Sequence, residues 1–178
     1  MITIVSGTNR PGSNTLKVAK EYQTILREKG VEAHLFSLEG VNVMQRDAAF
    51  EKIEKEIIIP TTAFIFIVPE YNGSFPGVLK MLFDTGHSHE IWFHKQALIT
   101  GNATGRAGNL RGMDHLADIL NYVKITVHPN KLPISQVNRV IDAHGKFSDA
   151  GALAAINAQL DEFIKWLPQK SLRATLTS

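Results

Sequence analysis

Residues 2–15, "ITIVSGTNRPGSNT", carry a strand-like run into nine consecutive residues that are polar or turn-forming. "ITIVS" has the apolar, β-branched character of a buried strand. From Asn14 onward, Leu16, Ala19, Tyr22, Ile25 and Leu26 recur at helical spacing, with Lys17, Lys20, Glu21, Arg27 and Glu28 opposite and Gly30 as a stop. The loop "GTNRPGSNT" (7–15) therefore joins the end of a strand to the start of a helix. Gly7 and Gly12 have the spacing of a nucleoside-triphosphate loop, but Ser13 and Asn14 stand where its lysine and hydroxyl residue belong. Thr8, Ser13, Asn14 and Thr15 offer hydroxyl and amide groups, and the first N–H groups of the helix add donors in a favourable dipole. Arg10 brings a planar fork suited to phosphate. A helix cap at Ser13 or Asn14 accounts for part of this composition, but not for Arg10 or for the full run. The loop is expected to hold a phosphate, though not the outer phosphates of ATP or GTP.

Working outward, "VEAHLFSL" (31–38), "AFIFIV" (63–68), "KQALIT" (95–100) and "KITVH" (124–128) give four more strands. Between them lie a charged helical stretch over 48–58, ending before Pro60, and a helix carrying Leu110, Met113, Leu116, Ala117 and Leu120. A last helix carries Leu153, Ile156, Leu160, Phe163, Ile164 and Leu167, after a turn at "DAHGKF" (142–147) with Gly145 at its tight position. Five buried strands alternating with helices predict an α/β fold, a parallel sheet covered on both faces. The expected organisation is one domain over 1–168 with a frayed polar tail over 169–178. In the strand order 2-1-3-4-5, ligands sit where the order reverses, beyond the first and third strands. The two most unusual loops follow those same strands: "GTNRPGSNT" and "PEYNGSFPG" (69–77). That coincidence predicts a mononucleotide-type ligand lying across both.

Composition narrows the class. The 178 residues are 44% hydrophobic and 20% charged, with a net charge of +2, which is ordinary for a globular chain and too weakly basic to argue for nucleic acid. Cysteine is absent, which excludes disulfides, thiol catalysis and cysteine-ligated metals. No apolar run reaches the length of about 18 residues that a membrane span needs. A cytoplasmic location is the expectation. His87, His89, Glu90 and His94 invite a metal, but histidines two apart share no helical face; the expectation is a loop without one. Trp92 and Phe93 are expected against the core or a neighbouring subunit. Asp84 is expected to pair with a base, and His34, His115, His128 and His144 to be structural or surface groups.

In the second loop, Pro69 and Pro76 stiffen the chain while Gly73 and Gly77 permit close approach. Tyr71 and Phe75 are placed to flank a flat ring, and Glu70 and Asn72 add polarity. Together, "GTNRPGSNT", "PEYNGSFPGVLKMLFD" and "KQALITGNATGRAGNLRGMDHL" resemble the NAD(P)H-dependent FMN reductases of the flavodoxin-like superfamily. The resemblance runs over roughly the first 125 residues, and "DAHGKFSD" resembles that family's late turn. It implies a flavodoxin-like three-layer sandwich with its five-stranded parallel sheet in the order 2-1-3-4-5. It implies that Thr8, Arg10, Ser13, Asn14 and Thr15 bind the FMN phosphate. Pro69, Glu70, Tyr71, Asn72 and Gly73 would line the isoalloxazine, with Asn102, Ala103 and Gly105 on its other side. The implied activity takes hydride from NAD(P)H as co-substrate and reduces a small acceptor: a quinone, an azo compound, free flavin or a metal oxyanion. No side chain need act as nucleophile or base, because the non-covalent flavin carries the chemistry. A homodimer or homotetramer is implied, and the "HSHEIWFH" extension (87–94) together with the flavin loops is expected to form part of its interface. The rival is a flavodoxin-type electron carrier, which is characteristically acidic. A receiver domain would want an acidic pair where Gly7 and Thr8 stand.

Overall fold

The computed structural model describes residues 1–142 and 145–168; the expected tail and His144 lie outside them. β1 (Ile2–Ser6), β2 (His34–Ser37), β3 (Ala63–Pro69) and β4 (Gln96–Asn102) are all parallel, and the sheet order is β2-β1-β3-β4-β5. β3 is buried along its whole length between β1 and β4, which explains its unbroken apolar run. Alternate strand residues face opposite layers. Ile2, Ile4, Ile65, Ile67 and Leu98 pack on one side, under α1 (Asn14–Glu28) and α6 (Ala150–Trp166). Val5, Phe64, Phe66, Val68 and Ile99 pack on the other, under α2 (Ala48–Ile53), α3 (Gly77–Thr85) and α4 (Leu110–Tyr122). Three layers result, as expected.

The fifth strand departs from expectation. It is split into β5 (Thr126–Val127) and β6 (Leu132–Ile134), both parallel to β4, against Gln96–Ala97 and Thr100–Asn102 respectively. Pro129 has no N–H to continue the ladder, and Lys131 N–H closes a turn on its carbonyl (3.0 Å). The short helix α5 (Val137–Val140) follows. The helical stretch over 48–58 also changes character: α2 ends at Ile53, and Glu54–Ile58 is π-helical, with Ile59 N–H bonded to Glu54 C=O (2.8 Å). Glu54 is buried there, accepting from Arg46 Nε (2.9 Å) and the His87 N–H (2.7 Å).

The 87–94 extension precedes β4 and so lies at the N-terminal edge of the sheet. The loops after β1 and β3 are at the opposite edge, so the two are not adjacent within one chain. Trp92 is fully buried against Phe64 and Phe83, with ring centroids 5.5 and 4.6 Å away. It is core. Phe93 lies beneath the Lys124 ammonium (4.2 Å to its centroid). Lys95 turns inward beside it, donating to the carbonyls of Ile58 (2.8 Å), Ile59 (2.9 Å) and Thr61. Burial pushes the Lys95 ammonium down to about 8. Asp84 pairs with Lys80 (2.6 Å), as expected.

Candidate functional site

The C-terminal ends of β1, β3 and β4 bring three loops together around a cleft of about 290 Å³, lined by residues 10–15, 69–71 and 102–104 with Val137. In the first loop Gly12 adopts φ +62°, a left-handed turn that releases the chain into α1. Ser13 is the cap, its Oγ accepting from Leu16 N–H (3.1 Å). Asn14 is half-buried on the cleft wall, and Thr15 is buried behind it. The Thr15 hydroxyl and the Asn102 amide share a bond of 3.1–3.2 Å, which joins the first loop to the end of β4. Arg10 is exposed, its guanidinium carbon 4.7 Å above the Tyr71 ring. Thr8 lies beneath: its hydroxyl bonds Tyr71 Oη (2.8 Å) and accepts from Arg10 N–H (3.3 Å). One tyrosine therefore stacks under the arginine and anchors the buried floor of its loop.

The second loop is a two-residue hairpin. Tyr71 N–H bonds Ser74 C=O (2.8 Å) and Ser74 N–H returns to Tyr71 C=O (3.2 Å). Asn72 and Gly73 have φ of +53° and +78°, the pattern of a type I′ turn, for which Asn-Gly is the preferred pair. Their position is explained by the turn, and neither lines the cleft. Pro69, Glu70 and Tyr71 do. Phe75 is half-buried and packs on the core under α2–α4, away from the position expected for a ring-flanking group.

In the third loop Asn102 and Ala103 line the cleft, while Gly105 sits outside it with its carbonyl bonded by Gln136 N–H (2.9 Å). Ala103 exchanges bonds with the segment after the split strand, donating to Ile134 C=O (3.1 Å) and accepting from Val137 N–H (2.9 Å). That segment, with Val137 and Thr104, is part of the wall that residue-by-residue reading missed; "LPI" (132–134) is too short to announce a strand. Asn109 was missed as well. Fully buried at φ +70°, it donates its Nδ2 to Val68 C=O (3.1 Å) and Pro69 C=O (2.9 Å), pinning the start of α4 to the second loop. On the next turn of α4, His115 Nδ1 meets Ser74 Oγ (2.9 Å).

Among the described residues, the charged side chains on the cleft wall are Arg10 and Glu70, both exposed. Residues 7–15 contain no acid. Hydroxyls, an amide, a guanidinium and a helix N-terminus suit a phosphate, while Pro69, Ala103, Val137 and the Tyr71 ring supply apolar surface. This donor set fits a phosphorylated aromatic cofactor such as FMN. Among the described residues no three His, Asp or Glu side chains cluster for a metal.

A doubly wound sheet of this order, with these loops at its switch point, defines a flavodoxin-like protein. The chain belongs to the NADPH-dependent FMN reductase family, whose model matches residues 1–139. It is 30% identical over 175 residues to the NAD(P)H-dependent FMN reductase PA1204 of Pseudomonas aeruginosa, covering 92% of each chain. It is 26% identical over 117 residues to a 2-hydroxy-1,4-benzoquinone reductase from Burkholderia sp, 64% of each chain. Among solved structures, the flavoenzyme NAD(P)H:(acceptor) oxidoreductase FerB from Paracoccus denitrificans superposes with a TM-score of 0.76 at 21% identity, over 93% of this chain and 95% of that one. The protein is an FMN-dependent oxidoreductase that takes hydride from NAD(P)H and reduces a small acceptor. The electron-carrier reading falls with that.

Proposed function

We propose that the acceptor is a quinone, reduced at a flavin whose phosphate is held by Arg10, Ser13, Asn14 and the N-terminus of α1. The observation that carries the placement is the convergence of the 10–15, 69–71 and 102–104 segments on one cleft. When bound, FMN supplies the hydride-accepting ring, and it passes electrons on in pairs or singly. The chain's own contribution is positional. Arg10 and the dipole of α1 meet the phosphate charge. Ser13 retains a hydroxyl hydrogen to donate while its oxygen caps the helix. Thr8, Asn72 and Gly73 act from behind by shaping the two loops, and Gly105 ties down the third.

A quinone is supported by the name of the benzoquinone-reducing relative and by a second hollow that shares Tyr71 with the cleft. Val41, Val43, Met44, Val78 and Met81 give it apolar surface, and Asn9, Asn42 and Lys80 line it as well. The nicotinamide co-substrate is a cytoplasmic metabolite, and no helix among the described residues is long and apolar enough to cross a membrane; both support a cytoplasmic enzyme. Exposed Leu110 and Tyr122 on α4 support a two-fold homodimer, which sedimentation at micromolar concentration tests. The decisive functional experiment is anaerobic. NADPH or NADH should bleach the bound flavin without a partner protein, and a benzoquinone should restore the colour. A flavin that stays oxidised with both nucleotides but accepts electrons from a separate reductase would overturn this reading.

A further inference from the structure

A third hollow, of about 340 Å³, runs along the outer face of α1 and shares Gly12 and Ser13 with the flavin cleft. Leu16, Lys17, Lys20, Glu21 and Thr24 form one wall, residues three and four apart on a single helical face. Gly145 and Lys146 form the other. Gly145 takes φ +83°, and a Cβ there would lie 3.2 Å from the Lys17 stem, so that lysine lies across the turn. Among the described residues none of Lys17, Lys20 and Lys146 is in an ion pair. Among the described lining residues, three lysines against Glu21 give the groove a cationic wall immediately beyond the end of the cleft proposed for the phosphate.

We propose that this groove takes the adenylate half of a flavin dinucleotide, so that the protein accepts FAD as well as FMN. The inference rests on the reading that residues 10–15 hold the flavin phosphate. FAD continues from that phosphate into a second one, and the lysines begin where the cleft ends. A purine then needs an apolar surface and an acceptor for its amino group. Leu16 and the lysine stems provide the first, and the Glu21 carboxylate or Thr24 hydroxyl the second. From Ser13 to Thr24 the helix rises about 16 Å, a span suited to an extended adenylate. Burial and Glu28 raise the Glu21 carboxyl while Lys146 lowers it, consistent with a carboxylate set into the groove wall.

The test is a titration of the apoprotein with riboflavin, FMN and FAD, followed by flavin fluorescence, in wild type and in Lys20→Ala/Lys146→Ala. Both lysines are exposed, and thermal unfolding checks that the variant is folded. Lys52→Ala/Lys55→Ala, on the exposed face of the α2 segment, removes the same charge elsewhere. Two solvent-exposed phosphate contacts correspond to roughly tenfold in dissociation constant. FAD should bind wild type at least as tightly as FMN. It should weaken about tenfold in the groove variant, and FMN should change less than about twofold. The control variant should leave the FAD-to-FMN ratio unchanged. Much weaker FAD than FMN in wild type, or equal losses of both in the groove variant, overturns the proposal. Adenylate also occurs in NADPH. If 2′,5′-ADP binds FMN-loaded protein and the groove variant weakens it without altering the FAD-to-FMN ratio, the groove serves the nicotinamide nucleotide and the proposal is likewise overturned. Equal affinity for riboflavin and FMN in wild type would instead remove the phosphate reading beneath it.

Discussion

Arg10→Ala separates a phosphate-binding loop from a mere helix entry. Arg10 is exposed, which lowers the value of its charge, but its guanidinium is already stacked 4.7 Å above Tyr71. Such a stack is worth about 0.5–1 kcal/mol at an exposed site and is present before any ligand arrives. It largely cancels from the binding difference, while holding the fork in place so that less rotamer freedom is lost on binding. A charge-assisted contact to phosphate is typically worth about 1.5–3 kcal/mol, and exposure argues for the lower half of that range. The expected loss of about 1.5–2 kcal/mol corresponds to roughly 10- to 30-fold in the FMN dissociation constant. Riboflavin, which has no phosphate, should change less than about twofold. Arg10→Lys should fall between, keeping the charge but not the planar fork. Fluorescence titration of apoprotein with both flavins gives the comparison, and any general loosening of the loop cancels in the ratio. Equal losses for FMN and riboflavin would refute the assignment of residues 7–15 to phosphate.

Three further outcomes follow from the geometry. Thr15→Val keeps the side-chain shape but removes the hydroxyl paired with the buried Asn102 amide, so urea unfolding should show a loss of about 1–3 kcal/mol; an unchanged midpoint would mean that the joint is idle. Burial lowers Lys95 from 10.5 to about 8, so between those pH values the unfolded chain binds more protons and folding stability should rise with pH. The slope approaches about 1.4 kcal/mol per pH unit at most, Lys95→Met should lack the rise, and the same rise in that variant would refute the attribution. Met44→Glu, at a position 72% exposed on the hollow proposed for the quinone, should raise KM for a benzoquinone about fivefold through lost apolar contact while leaving anaerobic reduction by NADPH unchanged. An unchanged KM would remove that hollow as the quinone site.

The parallel sheet was legible because β1, β3 and β4 are buried on both faces and rich in apolar residues, and its order was implied by the resemblance carried by the loops. The two loops at the switch point were legible because each concentrates glycine, proline and polar residues between such a strand and a helix. What escaped depends on contacts between distant residues. Trp92 was expected against the core or a neighbouring subunit, but its particular partners, Phe64 on β3 and Phe83 on α3, are not announced by any periodicity in "HSHEIWFH". β6 is three residues long and exists through its pairing with Thr100–Asn102. Asn109 reaches carbonyls about forty positions earlier in the chain. Asn72 and Gly73 were read for polarity and close approach; the Asn-Gly pair is also a type I′ turn signal, and their backbone angles show that turn.

The loops around the cleft are joined by neutral hydrogen bonds. Asn102 bonds Thr15 through its side chain and accepts Glu70 N–H (3.1 Å) through its carbonyl, so it links all three loop ends. Asn109 secures the β3 end from the other side, and Thr8 secures Tyr71. An ion pair in these buried positions would face a desolvation cost comparable to its attraction and would set a fixed field beside the cofactor ring. Amides and hydroxyls position the loops without either consequence. Positive charge enters at the rim, through exposed Arg10 and the N-terminus of α1, where the proposed phosphate would sit. On the proposed reading this division accounts for a run "GTNRPGSNT" that is polar without acids: its buried members, Thr8 and Thr15, build the frame, and its exposed members would meet the anion.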